Sequence, residues 1–483
     1  MKDTTRNIVV KNFLWRFAER VGAQGVKLIV EIILARLLLP DDYGLVALIT
    51  VFITILNVFV DSGLGNALIQ KKDADELDFS TVFWFNIVWC VLLYSLLFIT
   101  APIIASFYDN NEIVPVIRVL GLQIVISGVK NVQQAYVSRN MQFKRFFFAT
   151  LGGTIGAAAI GIWMAYNSFG VWAIVAQQLF NVLVDTIILW ITVKWRPRYV
   201  FSFERLKRLY SYGWKLLASA LIETVYNEIR QLVIGKFYSS ADLAYYNRGK
   251  QFPYLFVTNI NSGIDSVLLP IMSKEQDNSA TVKIMTRRAI TTSVYIIAPL
   301  MMGLAFVGEP LVRLLLTEKW LSCVPFLRIF CITFMFYPIH TANLNAIKAL
   351  GRSDLFLKLE IIKKFVGILA LVLTMRVSVM AMAYSLLFVE VAGQIINTWP
   401  NKKLLNYSYL EQLKDIMPSV LLSVFMGICV FFVDKIGMPD ILTIFLQIVL
   451  GGVIYNFGSI FLKIDSFLYV KDIVKSFTKK SRN

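Results

Sequence analysis

The first long apolar stretch of the sequence contains four charged residues at helical spacing: Arg16, Arg20, Lys27 and Glu31. At about 100° per residue they fall within roughly 60° of arc, so they share one face of a helix. A charged side chain at membrane depth costs on the order of 2.5 to 3.5 kcal/mol, so a stripe of four is tolerated only where it faces water or partner groups. The spacing therefore predicts a stripe that lines a water-filled cavity.

Four other stretches carry comparable polar stripes, each on one face of a predicted helix. Their members are Thr50, Thr54, Asn57 and Asp61; Gln123, Ser127, Lys130, Gln134 and Ser138; Lys215, Ser219, Glu223, Tyr226 and Arg230; and Thr258, Asn261 and Asp265, preceded by Arg248 and Lys250. Cations, hydroxyls and amides are the groups that an anionic, sugar-like substrate requires. We therefore predict a substrate-binding surface of seven cations: Arg16, Arg20, Lys27, Lys130, Lys215, Arg230 and Arg248.

The acidic residues of the same stripes suggest a second role, because carboxylates at membrane depth are typical of ion pathways. We expect at least one of four acids to bind H⁺ or Na⁺: Glu31, Asp61, Glu223 and Asp265. No catalytic residue, bound metal or other cofactor is predicted. The four cysteines are scattered, include no CxxC pair, and form no ligand set with the single histidine, His340.

Structural roles remain open for these residues. A polar stripe can serve helix-to-helix hydrogen bonding without touching a substrate, and Arg16 can extend to the lipid headgroups. For His340 a packing role is favoured over a proton relay. Asp185 and Glu390 each lie in the sixth helix of their half, and each fits either a proton site or an interhelical pair.

The overall composition predicts that the stripes lie inside a bilayer. Of 483 residues, 57% are hydrophobic and 16% are charged, with a mean hydropathy of +0.65, whereas soluble domains carry about 25% charged residues. Stretches of spanning length recur along the whole chain, which predicts an all-α integral membrane protein with about fourteen transmembrane helices. The predicted spans are residues 13–38, 44–69, 80–105, 114–138, 146–166, 170–193, 211–236, 243–271, 285–307, 324–348, 357–375, 378–399, 415–434 and 440–462.

Lysine and arginine are divided unevenly between the predicted connections. Short cytoplasmic loops are enriched in both residues. One set of loops, together with both chain ends, holds most of them, and the other set offers mainly Arg313, Lys319, Arg376 and Lys435. Both termini are therefore predicted to be cytoplasmic, and the net charge of +17 is interpreted as a topology signal and not as a nucleic-acid surface.

The sequence also repeats itself at two similar shifts. A shift of 200 residues aligns Asp42 with Asp242, and a shift of 210 aligns Arg118 with Arg328. Repeated halves are typical of secondary transporters. The predicted organisation is an N-terminal lobe of six helices, a C-terminal lobe of six helices, and two additional helices with a basic tail, over residues 1–205, 206–402 and 403–483.

The region of the first two helices contains the segments Leu34-Ala35-Arg36-Leu37, Pro40, Asp42-Tyr43-Gly44, Asp61-Ser62-Gly63-Leu64-Gly65 and Ile69-Gln70. Together with the fourteen spans, the repeat, and Gly351-Arg352 after the tenth helix, these segments carry a family resemblance. Along its whole length the chain resembles the polysaccharide exporters of the multidrug/oligosaccharidyl-lipid/polysaccharide superfamily, especially the Wzx-type flippases and the colanic or teichuronic acid exporters.

The resemblance implies a flippase of the bacterial cytoplasmic membrane. Such a protein moves an undecaprenyl-diphosphate-linked oligosaccharide from the cytoplasmic to the periplasmic leaflet by alternating access of its two lobes. The implied partners are the lipid-linked oligosaccharide, membrane lipids, and polysaccharide polymerase and assembly proteins. The related lipid II flippases carry an Arg-Asp pair just before their Ala-Arg-Leu segment, where this chain has Val30 and Glu31, so lipid II itself is not the expected substrate.

Two other functions remain as alternatives. A drug or organic-cation antiporter of the same superfamily needs an acidic and aromatic site, whereas these stripes are mostly basic. A membrane polysaccharide polymerase or glycosyltransferase needs a large catalytic loop with an acid/base pair, and the outward connections here are short. The chain is therefore not predicted to be an enzyme.

Overall fold

The chain is helical throughout the part that can be described. The computed structural model describes residues 22–61 and 63–480. These residues form α-helices and one short 3₁₀ helix, Glu318–Cys323, and no β-strand occurs among them. The predicted class, an all-α integral membrane protein, is confirmed.

Packing divides the chain into two compact units, which we name the N-terminal unit (Met1–Ala244) and the C-terminal unit (Tyr245–Asn483). The helices of the N-terminal unit are α1 (22–37 in the described chain), α2 (Pro40–Asp61), α3 (Leu64–Gln70), α4 (Glu76–Phe107), α5 (Ile113–Leu120), α6 (Leu122–Arg139), α7 (Phe143–Tyr166), α8 (Val171–Thr192) and α9 (Phe203–Phe237). Helix α10 (Ser240–Lys274) begins in this unit and continues into the next.

The C-terminal unit holds the remaining helices. They are α11 (Ser279–Leu316), α12 (Val324–Met335), α13 (Tyr337–Ala349), α14 (Ser353–Thr374), α15 (Val379–Leu404), α16 (Tyr409–Asp434), α17 (Asp440–Phe461) and α18 (Asp465–Lys480).

Eleven helical segments of the described chain are long and apolar enough to cross a membrane, by length and composition. Helices α9 and α14 reach spanning length but are not among the eleven, because they are more polar. Helix α9 contains Lys215, Glu223 and Arg230, and α14 contains Lys363 and Lys364. The number fourteen, which requires both of them and the first helix, stays a prediction.

Three predicted spans are divided in the structure. The second span separates into α2 and α3, the fourth breaks at Gly121 between α5 and α6, and the tenth breaks at Phe336 between α12 and α13. Pro338 stands in the first turn of α13, where its missing N–H costs no hydrogen bond, and it cannot continue the preceding helix. The connection before the tenth span contains the short 3₁₀ helix, and its Trp320 is fully buried.

Local structure repeats where the sequence does. Asp42 accepts a hydrogen bond from the backbone N–H of Leu39 (3.1 Å), and Asp242 accepts one from that of Ser239 (3.2 Å). Each carboxylate thereby satisfies a backbone donor at the start of its helix. The second aligned pair behaves alike, because Arg118 Nε donates to the carbonyl of Phe98 (3.4 Å) and Arg328 Nε to that of Ala305 (3.2 Å).

Helix α9 packs within the N-terminal unit, mainly against α2. Two glycines allow close approaches beside this contact: a Cβ on Gly44 of α2 would overlap the carbonyl oxygen of Ser240 at the start of α10, and one on Gly213 of α9 would lie 2.9 Å from the carbonyl carbon of Gly63, between α2 and α3. Small residues at such contacts are typical of membrane helices. The packing boundary at Ala244 and Tyr245 thus lies beyond α9, whereas the repeat places the lobe boundary after residue 205, and this lobe boundary stays a prediction.

Candidate substrate-binding site

The predicted cationic stripe of the first helix is described only in part. Arg16 and Arg20 lie outside the described residues. Lys27 Nζ lies 3.7 Å from Glu31 Oε1 on the next turn, and 68% of the Lys27 side chain is exposed against 19% for Glu31. An exposed pair of this kind contributes little to stability, typically below about 1 kcal/mol. Lys27 is therefore placed where a ligand can compete for it.

Lys130 has a protein partner. Its Nζ on α6 lies 3.0 Å from Asp185 Oδ2 on α8, and the two side chains are 16% and 13% exposed. Of the two roles that the sequence left open for Asp185, the geometry shows the interhelical pair. Because both charges are withdrawn from water, losing either one leaves the other unpaired in a poorly solvated place.

Arg230 on α9 stands out among the predicted cations of the N-terminal unit. It is only 8% exposed, yet its Nε and Nη2 atoms are buried without a hydrogen-bond partner among the described residues. An unpaired buried charge is costly unless something else compensates for it. The arrangement leaves two guanidinium donors available to an anion.

Two other predicted polar stripes of the same unit each contain a buried side-chain atom that lacks a hydrogen-bond partner among the described residues. The Asn57 Oδ1 atom on α2 and the Gln123 Nε2 atom on α6 are buried, and neither has a hydrogen-bond partner within residues 22–61 and 63–480. Helix α2 packs against both α6 and α9. Its Thr50 hydroxyl, by contrast, donates to its own backbone at Val46 O (2.7 Å) and is satisfied. Unsatisfied amide groups on neighbouring helices suit the hydroxyls of a saccharide.

The remaining predicted residues of this unit are more open. Lys215 and Glu223 are exposed on α9, and Glu223 Oε1 accepts a hydrogen bond from Asn227 Nδ2 (3.2 Å). Asp61 is the last residue of α2, and its side chain is not described.

The predicted residues of the C-terminal unit are engaged within it. Arg248 is 6% exposed, its Nη1 donates to Gln251 Oε1 (2.7 Å), and its guanidinium carbon lies 5.0 Å from the centre of the Trp320 ring. Asp265 Oδ1 accepts a hydrogen bond from Asn345 Nδ2 (2.8 Å). Arg248 can bind a substrate only by exchanging these contacts.

Sequence reasoning missed a buried network of amides in the C-terminal unit. Asn343 on α13 and Gln412 on α16 exchange two hydrogen bonds (2.9 and 3.1 Å), and Asn401 on α15 donates to Asn343 Oδ1 (2.7 Å). All three residues are almost fully buried. Asn343 stands 58 positions from Asn401 and 69 from Gln412, which gives no local pattern, so no sequence signal could have found these bonds.

A second missed contact joins His340 and Glu390, whose Nε2 and Oε1 atoms are 2.7 Å apart. As for metals, no group of three or more His, Cys, Asp or Glu side chains in the described part of the chain is placed to hold one.

Comparison with known proteins finds relatives whose names refer to the biosynthesis of polysaccharides and related polymers. The family model for polysaccharide biosynthesis protein matches residues 33–325. The teichuronic acid biosynthesis protein TuaB of Bacillus subtilis is 26% identical over 413 residues, which cover 83% of this chain and 84% of TuaB. The succinoglycan biosynthesis transport protein ExoT of Rhizobium meliloti is 25% identical over 324 residues, 66% of this chain and 65% of ExoT.

A solved structure of the lipid II flippase MurJ, in an inward closed conformation, matches with a TM-score of 0.73 at 14% identity, covering 94% of this chain and 99% of MurJ. At this identity the match shows a shared fold of membrane helices and nothing about substrate. The resemblance inferred from the first two helices is confirmed by the relatives. Because the family model spans more than half of its length, this chain belongs to the polysaccharide biosynthesis protein family.

Proposed function

We propose that the chain flips an undecaprenyl-diphosphate-linked oligosaccharide from the cytoplasmic to the periplasmic leaflet by alternating access of two lobes. Family membership supports export of polysaccharide precursors, and one relative, ExoT, is named a transport protein. The fold shared with a flippase supports movement of a lipid-linked molecule. The observation that carries the proposal is Arg230, which is buried and has two guanidinium nitrogens without a hydrogen-bond partner among the described residues.

The physical argument rests on desolvation. A diphosphate that leaves the headgroup layer loses water and counterions, and fixed cations facing it can offset that loss with charge-assisted hydrogen bonds. Arg230 has already lost its own hydration on folding. Hydrogen bonds between its guanidinium and a bound anion therefore offset the desolvation of both groups. Asn57 and Gln123 on the adjacent stripes are proposed to bond the sugar hydroxyls.

The other six predicted cations are also proposed to bind the substrate, but in two different ways. Arg16, Arg20, Lys27 and Lys215 are proposed to hold the headgroup on its way into the cavity. Lys130 and Arg248 contribute only if the substrate replaces Asp185 or Gln251 as their partner. The acids Glu31, Asp61, Glu223 and Asp265 remain candidates for binding H⁺ or Na⁺.

The decisive test is Arg230→Met in a strain whose own gene is deleted. We expect surface polysaccharide to fall to the level of the deletion strain and lipid-linked oligosaccharide to accumulate on the cytoplasmic face. Protein abundance should stay normal, and thermal stability in detergent should stay equal or rise, because a buried unpaired charge has been replaced by an apolar side chain of similar length. The conservative Arg230→Lys should retain part of the activity.

The matched control is Arg139→Met in the same unit. Arg139 donates to the backbone carbonyls of Leu68 (2.9 Å) and Lys72 (2.7 Å), which marks a structural arginine. Its loss should reduce abundance and polysaccharide together. If Arg230→Met also reduced both together, or kept full polysaccharide at normal abundance, the binding role would be refuted.

The membrane topology is a separate proposal. The protein is a multi-pass membrane protein, and the uneven distribution of lysine and arginine supports cytoplasmic positions for both termini. Reporters fused after residues 72, 205, 280 and 483 should all report the cytoplasm. A periplasmic signal at residue 205 would contradict the two-lobe organisation. A polymerase and assembly proteins are proposed as partners that receive the flipped product.

A further inference from the structure

His340 and Glu390 meet in the interior of the C-terminal unit. The Nε2 and Oε1 atoms are 2.7 Å apart, and the side chains are only 12% and 17% exposed. Glu390 is the twelfth residue of the 26-residue helix α15, which is one of the candidate membrane spans. At 1.5 Å per residue it lies roughly 15 Å or more from either helix end. Ionisable residues at such depth are rare and typically serve ion or proton pathways.

The second ring nitrogen fixes where the proton sits. Asn397 Nδ2 lies 2.7 Å from His340 Nδ1, so in this state Nδ1 accepts and the ring proton is on Nε2, facing Glu390. The Nε2–Oε1 contact is close, although it does not have regular hydrogen-bond geometry. Two electron-rich atoms at this distance repel each other unless a proton lies between them. The orientation of the Asn397 amide therefore corresponds to a ring that carries one proton, on Nε2.

Asn397 offers a way to accept one more proton. Its Oδ1 atom is buried and has no hydrogen-bond partner in the described part of the chain. If a proton binds at Nδ1, the ring becomes a double donor, and a 180° turn of the Asn397 amide presents Oδ1 as the acceptor. The new N–H bond is formed with a proton from a hydronium ion, whose O–H bond breaks to leave a water molecule, and no covalent bond of the protein is broken.

Charged and titratable groups on the surrounding helices are engaged with partners of their own. On α14, Lys363 lies with the His340 ring against Gly393 of α15 and pairs with Glu360 (2.6 Å). On α10, Asp265 accepts from Asn345 (2.8 Å). On α11 and α12, Glu309 contacts Arg328 and Arg313, and Cys331 of α12 is a buried free thiol. On α16, Glu411 pairs with Lys283, Asp415 pairs with Arg287, and Tyr409 donates to Gln394.

We propose that His340, Glu390 and Asn397 form the proton-binding site that couples the transport cycle to the proton gradient. This inference rests on the proposed function and assigns the coupling to a pair outside the four acids of the polar stripes. One turn after Asn397, Asn401 bonds to Asn343 of α13, and Asn343 bonds to Gln412 of α16. Turning the Asn397 amide thus changes a contact one helical turn away from a network that joins three helices.

The chain's single histidine permits a direct test. Full-length protein with a tag free of histidine is labelled with ring-¹⁵N histidine, so that both nitrogen signals come from His340 alone. On acidification from about pH 8 to pH 5, the signals should change from one protonated nitrogen, Nε2, to two. The Glu390→Gln variant should titrate at a lower pH than the wild type, because the protonated ring loses its counter-charge.

Control variants separate this site from general effects of charge. Glu411→Gln removes an acid of the same unit that pairs with Lys283 (3.3 Å), and it should leave the titration midpoint unchanged. If Glu390→Gln does not fold, Glu390→Asp replaces it in the test. The shorter Asp side chain keeps the charge but moves it away from the ring, so the titration midpoint should lie between those expected for the wild type and for Glu390→Gln. The proposal would be overturned if the ring stayed singly protonated over the whole pH range, or if its titration midpoint were the same in the wild type and in Glu390→Gln.

The transport arm uses surface polysaccharide in the complemented deletion strain. His340→Gln and Glu390→Gln should lose most of it at normal abundance, whereas Glu411→Gln should retain it. If both variants keep wild-type polysaccharide, the proton site fails while the proposed function stands. If deletion of the gene leaves polysaccharide unchanged, the proposed function fails, and the titration alone then decides whether His340 binds the proton.

Discussion

The two units differ in how their buried polar groups are satisfied. In the N-terminal unit Lys130 pairs with Asp185, whereas Arg230 has two nitrogens without a partner among the described residues. In the C-terminal unit the buried amides of Asn343 and Gln412 bond to one another. Buried ionisable groups of the C-terminal unit are in contact with partners, as Arg248 is with Gln251 and His340 with Glu390.

The difference indicates different tasks. A satisfied amide network fixes the packing of its helices without the large desolvation cost of ions. An unpaired buried charge lowers stability, and natural proteins retain such groups mainly at functional sites. The Arg230 nitrogens that have no partner among the described residues therefore support the anion site proposed for the N-terminal unit, and the bonded amides of the C-terminal unit support a fixed helix arrangement.

The largest stability effect is expected at the ion pair of the N-terminal unit. Lys130→Ala should lower the free energy of unfolding by about 3 to 5 kcal/mol, because Asp185 would keep a buried charge without its partner. The double variant Lys130→Met with Asp185→Leu should recover most of the loss. Chemical unfolding in detergent measures both.

An exposed pair in the same unit is the control. Arg208 and Glu204 are 66% and 79% exposed and lie 2.7 Å apart, so Arg208→Ala should cost only about 0.3 to 0.5 kcal/mol. If Lys130→Ala were as mild as Arg208→Ala, the Lys130–Asp185 pair would be hydrated, and the contrast between the units would be weaker than described.

An intermediate effect is expected in the amide network of the C-terminal unit. Gln412→Leu removes both hydrogen bonds between Gln412 and Asn343, which should cost about 1 to 3 kcal/mol at about 0.5 to 1.5 kcal/mol for each bond. Asn456→Leu is the control, because Asn456 is exposed on α17 and bonds only along its own helix, to Gly452 O (2.8 Å). Its change should stay within about 0.5 kcal/mol. Equal effects would show that the network does not hold the helices together.

The smallest effect compares two helix caps at corresponding places of the repeat. Asp75 caps α4 and accepts from Asp78 N (3.0 Å), and Asn278 caps α11 and accepts from Thr281 N (3.1 Å). Substituting either by Ala should cost about 1 kcal/mol at neutral pH. The two caps differ in charge, so they should differ in pH dependence.

The pKa of Asp75 is lowered, chiefly by the hydrogen bond from the Asp78 backbone and further by the charge of Arg205. A carboxyl whose pKa is lower in the folded state stabilises the protein above its unfolded value of about 3.9 and loses that contribution as the pH falls through the folded value. The cost of Asp75→Ala should therefore shrink below about pH 4, while that of Asn278→Ala stays constant. Thermal unfolding at several pH values checks this, and parallel curves would contradict it.

Helix positions were largely predictable, because apolar stretches of spanning length and the repeat are written locally in the sequence. The aligned pairs Asp42 with Asp242 and Arg118 with Arg328 make the same contacts in both halves. The breaks at Gly121 and Phe336 were not predicted, because hydropathy stays high across both of them.

By itself, the sequence determined the membrane class, and it predicted the repeat and a set of cations for binding an anion, since each depends on composition or on spacing. Only the tertiary structure decided which of the described cations have partners. Asp185 stands 55 positions from Lys130, and Glu390 stands 50 from His340, so helical periodicity carries no information on either contact. The same packing left two nitrogens of Arg230 buried without a partner among the described residues, and this difference makes Arg230 the leading candidate of the five predicted cations that the structure describes.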